Sequence, residues 1–339
     1  MRVLIAGSHG LIGSALVERL VDLDHDVTRL VRKTAGAGEI NWKSALEDND
    51  QLEGFNAIVN LAGVGIGQKR WRQKEKGRIW DSRVAATETL AQRLGALTVR
   101  PEVFVCASAV GYYGDGGDRE LTEADTKGEG FLAELCANWE DATKHASEVG
   151  IRVVNIRSGI VLSPKGGALA KQLPLFRLGL GGRMGNGTQY TSWISLHDEV
   201  EAIVHVLTHK RISGAVNLTA PEPVTNSDFT ALLGASLARP TYVPAWTWLL
   251  NLGFGRQMTD EVLLASQRAV PRKLMASGFS FRDRTLEEAF DNMFVSAEEA
   301  EEAESSEVDP DDGDYSNDVI DLATGTKSTG EPKKKRRKK

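Results

Sequence analysis

Up to residue 164, short runs of apolar residues alternate with longer segments whose apolar residues recur at the helical period. Strands are predicted at residues 3–6, 27–31, 57–61, 103–107 and 151–156. Helices are predicted at residues 11–21, 83–94 and 131–148. Strands that are apolar throughout and separated by helices are typical of a parallel sheet covered on both faces. The pattern therefore predicts an α/β fold built on a doubly wound parallel sheet.

Beyond residue 164 the alternation weakens, and we expect a smaller region that packs on the sheet. Glycines are frequent over residues 179–187, and one more strand is predicted at residues 216–218. Helices are predicted at residues 197–207, 226–237, 273–277 and 286–293, with further helical pattern within residues 246–268. The prediction leaves open that this later part of the chain also contributes strands to the sheet.

Composition changes sharply beyond residue 295. A dozen Asp and Glu and no Lys or Arg occur from Glu298 to Asp321, whereas every residue from Lys333 to Lys339 is basic. Such a stretch buries too little apolar surface to offset its chain entropy, so we predict a disordered tail over residues 295–339. Its basic end is typical of a nuclear signal, or of a patch for nucleic acid, anionic lipid or another partner. The alternative is a solvated tail whose basic end folds back on its acidic part.

The net charge of −6 over 339 residues comes mostly from this tail, so the body is close to neutral. A neutral body gives no reason to expect nucleic acid as its ligand. No run reaches the roughly 18 uncharged apolar residues of a membrane span, and residues 1–6 lead directly into a glycine turn rather than a secretory signal. With only Cys106 and Cys136, and no Cys/His pair at zinc-ligand spacing, we expect a cytoplasmic protein without a metal.

A glycine-rich turn follows the first strand directly and opens the first helix. Its sequence is Gly7-Ser8-His9-Gly10-Leu11-Ile12-Gly13. In a dinucleotide site the first glycine allows a sharp turn, and the second lets backbone N–H groups approach the pyrophosphate. The third lets helix and strand pack closely. The spacing and the setting together predict a βαβ unit that binds a dinucleotide.

The residues at the end of the second strand indicate which dinucleotide the protein binds. An NAD site usually carries Asp or Glu there, to bind the ribose 2′-hydroxyl. Residues 29–33 hold no carboxylate, and Arg32 stands where it would pair with a 2′-phosphate. The sequence therefore predicts NADP(H), with Arg29 and Lys33 as solvated surface charges.

Two further segments are candidates for cofactor contact. The third strand ends in Leu61, Ala62 and Gly63, whose small size would let adenosine lie against the backbone. Arg83 begins the next helix, where it either contacts the cofactor or is a surface charge; both interpretations stay open.

Several short sequence segments, distributed over residues 1–294, are together specific for one protein family. They are Asn60–Gly63, Ser82–Val84, Ala107–Gly114, Arg157–Leu162, Ser192–Ile194, His197–Glu199, Leu264–Arg268 and Pro271–Leu274. Together they resemble the extended short-chain dehydrogenase/reductase family, and more narrowly its epimerase-family branch of the YfcH type. The resemblance implies a Rossmann-type domain over residues 1–164 with NADP in its cleft. It also implies a substrate lobe and a small C-terminal domain over residues 165–294.

The resemblance further implies that Leu61 and Ala62 line the cofactor and that backbone near Ile160 contacts the nicotinamide. The parent family uses a Ser or Thr with a Tyr and a Lys placed four residues apart on one helical face. The helix at 131–148 contains no Tyr-x-x-x-Lys. Phe131 and Leu135, or Leu132 and Cys136, stand in its place, depending on the alignment.

The remaining catalytic candidates are Ser108, as a polarising hydroxyl, and Tyr113, as a phenol at the edge of the cleft. Each has a structural alternative, because Ser108 would also suit a turn and Tyr113 would also pack in the Tyr-Gly turn. Tyr112 and Glu134 are weaker candidates. Four polar residues of the later region either bind an anionic substrate or belong to the surface: Lys171, Arg177, Arg183 and Gln189.

Two functions fit these features. The first is an NADP(H)-dependent oxidoreductase or nucleotide-sugar-epimerase-like protein that acts on a small molecule without the usual Tyr-Lys pair. The alternative is a catalytically silent NADP(H)-binding sensor that acts through a partner.

Overall fold

The computed structural model describes residues 1–294, and its centre is a parallel sheet of seven strands in the order β11-β7-β5-β4-β1-β2-β3. The strands are β1 (Arg2–Ala6), β2 (Asp26–Val31), β3 (Glu39–Asn41), β4 (Ala57–Asn60), β5 (Val103–Ala109), β6 (Glu120–Leu121), β7 (Arg152–Ser158), β8 (Ile160–Leu162), β9 (Tyr190–Thr191), β10 (Trp193–Ser195), β11 (Gly214–Leu218), β12 (Val224–Thr225) and β13 (Arg268–Ala269). The strands outside the large sheet form short pairs, β8 with β10, β9 with β12 and β6 with β13.

The helices are α1 (Leu11–Asp22), α2 (Trp42–Glu47), α3 (Gln73–Asp81), α4 (Val84–Gly95), α5 (Phe131–Asp141), α6 (Lys144–Glu148), α7 (Gly167–Arg177), α8 (Leu196–Thr208), α9 (Asn226–Ser236), α10 (Thr247–Phe254), α11 (Arg256–Met258) and α12 (Arg272–Ala276). A π-helical turn spans Thr259–Leu263, and residues 286–294 are also helical.

The strands are apolar throughout because both faces of the sheet are covered. On β1, Val3 and Ile5 face a core that contains residues of α1 and α8, whereas Leu4 and Ala6 face a core formed with α4 and α5. The same alternation of faces divides β5 between Val105 and Phe104. Burial of successive side chains on opposite faces is what the uninterrupted apolar runs predict.

The Rossmann-type α/β fold predicted from the sequence is confirmed, with strand bounds within two or three residues of those predicted. The helix predicted at 131–148 is two helices, α5 and α6. Several elements of the described chain were not predicted. They are β3, α2, α3 and α7, together with the short strands β6, β8, β9, β10, β12 and β13. The polar sequence of α3 and the internal Pro174 of α7 hide the apolar periodicity on which prediction depends.

The later part of the chain returns to the sheet through β11, which pairs in parallel with β7. Beside this strand, Arg152 donates to the carbonyl oxygens of Val206, Leu207 and Ile212 at 2.8–3.0 Å. The division of the chain at residue 164 stays a prediction. The predicted disordered tail lies outside the described residues, and none of the helices within residues 1–294 is long and apolar enough to cross a membrane.

Helix α8 carries a carboxyl group into the core. Glu199 is fully buried and accepts a hydrogen bond from Ser158 Oγ at 2.6 Å. Its Oε2 has no hydrogen-bond partner within the described part of the chain. Burial disfavours the charged form and raises the pKa of Glu199 to about 8, against the opposing effect of the Ser158 hydroxyl. Glu199 is therefore neutral at neutral pH.

This neutral carboxyl gives the folded state a specific pH dependence. Because the pKa is raised on folding, its stabilising contribution is fully present below the unfolded pKa and is lost as pH rises towards 8. We expect wild type to lose stability relative to Glu199→Gln between pH 5 and pH 8.5, by on the order of 2 kcal/mol or more, at about 1.4 kcal/mol per pKa unit. Urea unfolding at several pH values measures this, with Glu18→Gln on exposed α1 surface as control. Parallel pH profiles for wild type and Glu199→Gln would contradict the assignment.

Candidate cofactor site and its polar network

The glycine turn lies against the carboxyl end of β4. Gly7 has φ +82°, and a Cβ built on it would lie 2.6 Å from the carbonyl carbon of Leu61. A Cβ on Gly13 would overlap the carbonyl oxygen of Gly7. The N-cap residue of α1, Gly10, provides no capping side chain, so the first N–H groups of the helix are not satisfied by a local side chain. The turn thus has the open backbone donors that a phosphate group requires.

The other residues of the turn divide between core and surface. Ser8 is buried, and His9 is exposed with its Nε2 3.5 Å from Glu39 Oε1. Ile12 packs on the core beneath α1, and Leu11 lies against Gly166 in the turn before α7. The predicted turn residues are therefore together at one edge of the sheet.

Arg32 lies at the same edge of the sheet as this turn. Since β1 and β2 pair in parallel up to Ala6 and Leu30, Arg32 follows the carboxyl end of β2 at the edge of the sheet where the turn follows β1, and its side chain is exposed. Arg29 also reaches the turn, where Nη1 donates to the carbonyl oxygen of Ser8 at 3.5 Å. Both arginines are therefore at the end where the adenosine half of a dinucleotide would lie.

No carboxylate was predicted at this end, but β3 brings Glu39 to it. Glu39 pairs with Arg29 across the sheet, and its Oε2 accepts from the Gly36 backbone N–H at 2.9 Å. Glu39 was missed because β3 has three residues and no apolar run. Its Oε2 is taken by the Gly36 N–H, and its Oε1 lies 3.5 Å from His9 Nε2.

Residues after β4 come close to Arg83. Asn60 Oδ1 accepts from the Ala62 N–H at 3.2 Å, which fixes the bend at the end of the strand. The Arg83 guanidinium lies against Gly63, where a Cβ would be 3.0 Å from Cζ. Ile160 begins β8, and its N–H donates to the Ser192 carbonyl at 2.8 Å.

Ser108 and Tyr113 meet in a buried polar network. Ser108 Oγ donates to Glu140 Oε1 at 2.7 Å, and Arg157 binds both oxygens of Glu140 at 2.8 and 2.9 Å. Arg157 Nη1 also donates to the Tyr113 hydroxyl at 3.0 Å. That hydroxyl in turn donates to Asn217 Oδ1 at 2.7 Å. Glu140 and Arg157 were not among the predicted site residues.

The network restricts what Tyr113 does in this arrangement. Its side chain is 3% exposed, and its single proton is directed to Asn217 rather than to the cleft. Burial raises the pKa of Tyr113 to about 12, although Arg157 opposes the rise. The catalytic roles of Ser108 and Tyr113 stay predictions.

The part of α5 that lies against Gly111 is apolar, whereas Glu140 further along the helix accepts from Ser108. A Cβ on Gly111, just after β5, would lie 3.4 Å from Leu132 Cβ and 3.8 Å from Cys136 Sγ. Phe131 instead packs edge to face against Trp71, with the two ring centroids 5.1 Å apart. Leu132 and Cys136, rather than Phe131 and Leu135, therefore lie on the face of α5 that contacts Gly111.

The start of α5 is held by the C-terminal segment. Gly130, its N-cap, provides no side chain, and Glu261 from the π-helical turn accepts from the Leu132 N–H at 2.8 Å. Gln257 donates to the same carboxylate at 2.7 Å. Glu261 was missed because a cap supplied from 129 residues away has no local sequence signal.

The four candidate substrate-binding residues of the later region differ in exposure. Gln189 is buried and donates to the carbonyl oxygens of Met184 and Leu263. Lys171, Arg177 and Arg183 are exposed, and within residues 1–294 none forms an ion pair. The Gln189 amide is thus engaged in the structure, and the three cations lie at the surface.

The buried pair of Arg157 and Glu140 gives a stability prediction. Arg157→Met leaves Glu140 buried without a counterion, which costs about 3–5 kcal/mol. Arg157→Met combined with Glu140→Leu removes both charges and should recover most of that loss. Urea unfolding measures both variants, with Lys210→Met of the exposed Lys210–Glu102 pair as control, expected to change stability by less than about 1 kcal/mol. Equal losses in the single and double variants would contradict the account.

Comparison with known proteins places this geometry in a family. The NAD dependent epimerase/dehydratase family matches residues 3–219, and a domain of unknown function (DUF1731) matches residues 243–293. The epimerase family protein ML0860 of Mycobacterium leprae is 45% identical over 290 residues, which cover 85% of this chain and 94% of the relative.

Solved structures agree with the sequence relatives. The crystal structure of human epimerase family protein SDR39U1 (isoform 2) with NADPH has a TM-score of 0.82 and 33% identity, covering 86% of this chain and 99% of that one. UDP-glucuronic acid 4-epimerase from Bacillus cereus has a TM-score of 0.70 at 14% identity, covering 88% and 100%, a likeness of fold alone. The resemblance to epimerase-family proteins predicted from the sequence is confirmed. The chain therefore belongs to the NAD dependent epimerase/dehydratase family, with a DUF1731 domain at residues 243–293.

Proposed function

We propose that this protein is an NADP(H)-dependent oxidoreductase that acts on a carbonyl or hydroxyl group of a small molecule, without a Tyr-Lys pair. The observation that carries the proposal is the glycine turn, whose backbone excludes any side chain at Gly7 and Gly13 and leaves the first N–H groups of α1 uncapped. NADP(H), when bound, supplies or accepts the hydride. Nucleotide-sugar epimerisation would use the same hydride chemistry.

The preference for NADP(H) over NAD(H) rests on Arg32. Arg32 follows the carboxyl end of β2, at the edge of the sheet that carries the turn; its side chain is exposed, and within the described chain it has no carboxylate partner. A guanidinium binds a phosphate through two parallel charge-assisted hydrogen bonds, whereas NAD(H) has a hydroxyl in place of the 2′-phosphate of NADP(H). The human relative that carries NADPH in its crystal structure supports the same preference.

The proton at the substrate oxygen is assigned to Ser108. It lies at the carboxyl end of β5, and its hydroxyl already donates to Glu140. A substrate hydroxyl could therefore pass its proton to Ser108 as Ser108 releases its own to that carboxylate. Arg157 orients Glu140 and links it to Tyr113, which acts in this proposal through the network. Leu132 and Cys136 do not take part, because an apolar side chain and a thiol whose pKa burial raises to about 12 do not exchange protons near pH 7.

Two further assignments belong to this proposal. We place the protein in the cytoplasm, since Cys106 and Cys136 are both buried free thiols, as is usual in a reducing compartment. We assign residues 165–294 to the binding of the small-molecule substrate and the tail to contact with a partner.

The cofactor preference is tested with Arg32→Ala. Loss of a charge-assisted phosphate contact should weaken NADPH binding by about tenfold or more, while NADH binding changes little. Fluorescence titration with each cofactor gives both dissociation constants, and Lys33→Ala is the matched control one residue away. An equal loss for NADPH and NADH would refute the assignment of Arg32.

Catalysis is tested by following NADPH oxidation with a panel of aldehydes, ketones and nucleotide sugars. For any substrate that turns over, Ser108→Ala should lower the rate by about 100-fold or more, as expected for loss of a general acid–base group. Tyr113→Phe should lower it less, since the phenol acts through Arg157. Unchanged turnover in Ser108→Ala would contradict the assignment of proton transfer to Ser108. Tight NADPH binding with no turnover on any substrate would favour a silent NADP(H) sensor.

A further inference from the structure

Arg70 binds the C-terminal end of α10 from a segment distant in the sequence. Its Nε donates to the Gly253 carbonyl oxygen at 3.1 Å, and its Nη2 donates to the carbonyl oxygens of Leu252 and, at 3.5 Å, of Asn251. The last carbonyl groups of a helix lack partners within the helix, and a cation near them also interacts favourably with the helix dipole. One guanidinium therefore binds three carbonyl groups at the end of α10.

The rest of α10 is packed weakly on the protein. Of its eight residues only Leu250 is buried, and its N-cap residue provides no capping side chain. Trp248, Leu249 and Leu252 are 65%, 46% and 66% exposed. Elements with few buried apolar contacts open locally at a low cost in free energy. The hydrogen bonds of Arg70 are therefore a large part of what keeps α10 in place.

The segment that follows α10 is anchored separately and is joined to it by a glycine. Met258 and Thr259 are buried, and Glu261 accepts from the Leu132 N–H at the start of α5. Gly255, between α10 and this anchored segment, has φ +87°, and a Cβ built on it would have nothing within 4 Å. Because glycine changes its backbone angles at little cost, α10 can move about Gly255 while the following segment stays bound to α5.

Helix α10 lies between two segments that border the proposed cofactor cleft. Arg70 belongs to the segment after β4, and Leu61 at the start of that segment lies against Gly7 of the glycine turn. Leu132 in the first turn of α5 lies against Gly111, just after β5. Since β4 and β5 are parallel neighbours, both segments leave the same edge of the sheet. That edge also carries Ser108, so α10 lies at the side of the cleft where hydride transfer is proposed.

One polar group opposes the bound position of α10. Asn251 Oδ1 is buried and, among the described residues, has no hydrogen-bond partner. A buried acceptor without a donor is unfavourable, whereas the hydrogen bonds of Arg70 to the neighbouring carbonyl groups are favourable. These opposing contributions reduce the free-energy difference between a bound and a released α10, as a movable element requires.

We propose that α10 is a lid at the reacting end of the cofactor cleft and that Arg70 is its latch. This inference rests on the proposed cofactor binding. Release of the three hydrogen bonds lets α10 move about Gly255 and admits NADP(H) and substrate. When the hydrogen bonds form again, the lid closes and water is excluded from the hydride transfer. Arg70 acts through the helix and not on the reacting atoms, so it is a positioning residue.

The alternative role for Arg70 is purely structural. A structural contact keeps α10 in the same state whether or not a ligand is bound. A latch is coupled to the ligand, because a ligand that binds the closed state better shifts the lid towards closure. Amide hydrogen exchange of α10 with and without NADPH therefore distinguishes the two roles.

The first experiment measures amide hydrogen exchange on the full chain. Arg70→Gln should accelerate exchange within α10 by about tenfold or more and leave exchange in β1 and β5 unchanged. NADPH should slow exchange of α10 in wild type and have little effect there in Arg70→Gln. Arg72→Gln, exposed two residues further along the same segment, should behave as wild type. Unchanged exchange of α10 in Arg70→Gln, or acceleration throughout the chain, would overturn the proposal.

The second experiment measures the rates of NADPH binding and release by stopped-flow fluorescence. Arg70→Gln should raise the dissociation rate constant about tenfold or more without slowing association, since only closure is lost. Arg70→Lys, which keeps the charge but not the planar fork, should lie between Arg70→Gln and wild type. Unchanged NADPH dissociation in a variant whose α10 exchanges faster would show that α10 does not cover the cleft, and would overturn the proposal. Failure of wild type to bind NADPH would instead refute the proposed cofactor binding.

Discussion

The buried ion pair between Arg157 and Glu140 is the constraint on which the rest of the site depends. It joins the end of β7 to α5, and its hydrogen bonds extend to Ser108 on β5 and to Tyr113. Such a pair adds little net stability, because desolvation offsets most of the attraction, but its two parallel hydrogen bonds allow one geometry only. The carboxyl ends of the central strands are therefore held in a fixed arrangement around the cleft.

The cations of the site lie on several elements rather than on one helix. The face of α5 near Gly111 carries Leu132 and Cys136. Arg157 is on β7, and Arg83 is the N-cap residue of α4. Each lies against an aromatic ring: Cζ of Arg157 is 3.5 Å from the ring centroid of Tyr112, and Cζ of Arg83 is 5.1 Å from that of Trp139.

Local features of the sequence were sufficient to predict the sheet and the glycine turn. An apolar run needs only its own residues to indicate a buried strand, and glycines between a strand and a helix indicate their own close approach. Glu140 and Arg157 could not be found in this way, because each looks like a surface charge until the fold brings them together across 17 residues. Glu39 and Glu261 were hidden for the same reason, one on a strand of three residues and the other in a turn far from α5. Arg83 was identified as a candidate, but only the fold shows that its guanidinium lies against Gly63 and Trp139.

The late position of β11 in the sequence has a consequence during synthesis of the chain. Because synthesis runs from the amino end, β7 is complete some sixty residues before β11 emerges to pair with it. During that interval β7 has an unpaired edge, Arg152 lacks its carbonyl acceptors and the Tyr113 hydroxyl lacks Asn217. An unpaired apolar edge invites association with other chains. The nascent protein therefore depends on its later region to protect the dinucleotide-binding half from aggregation, before any cofactor or substrate is encountered.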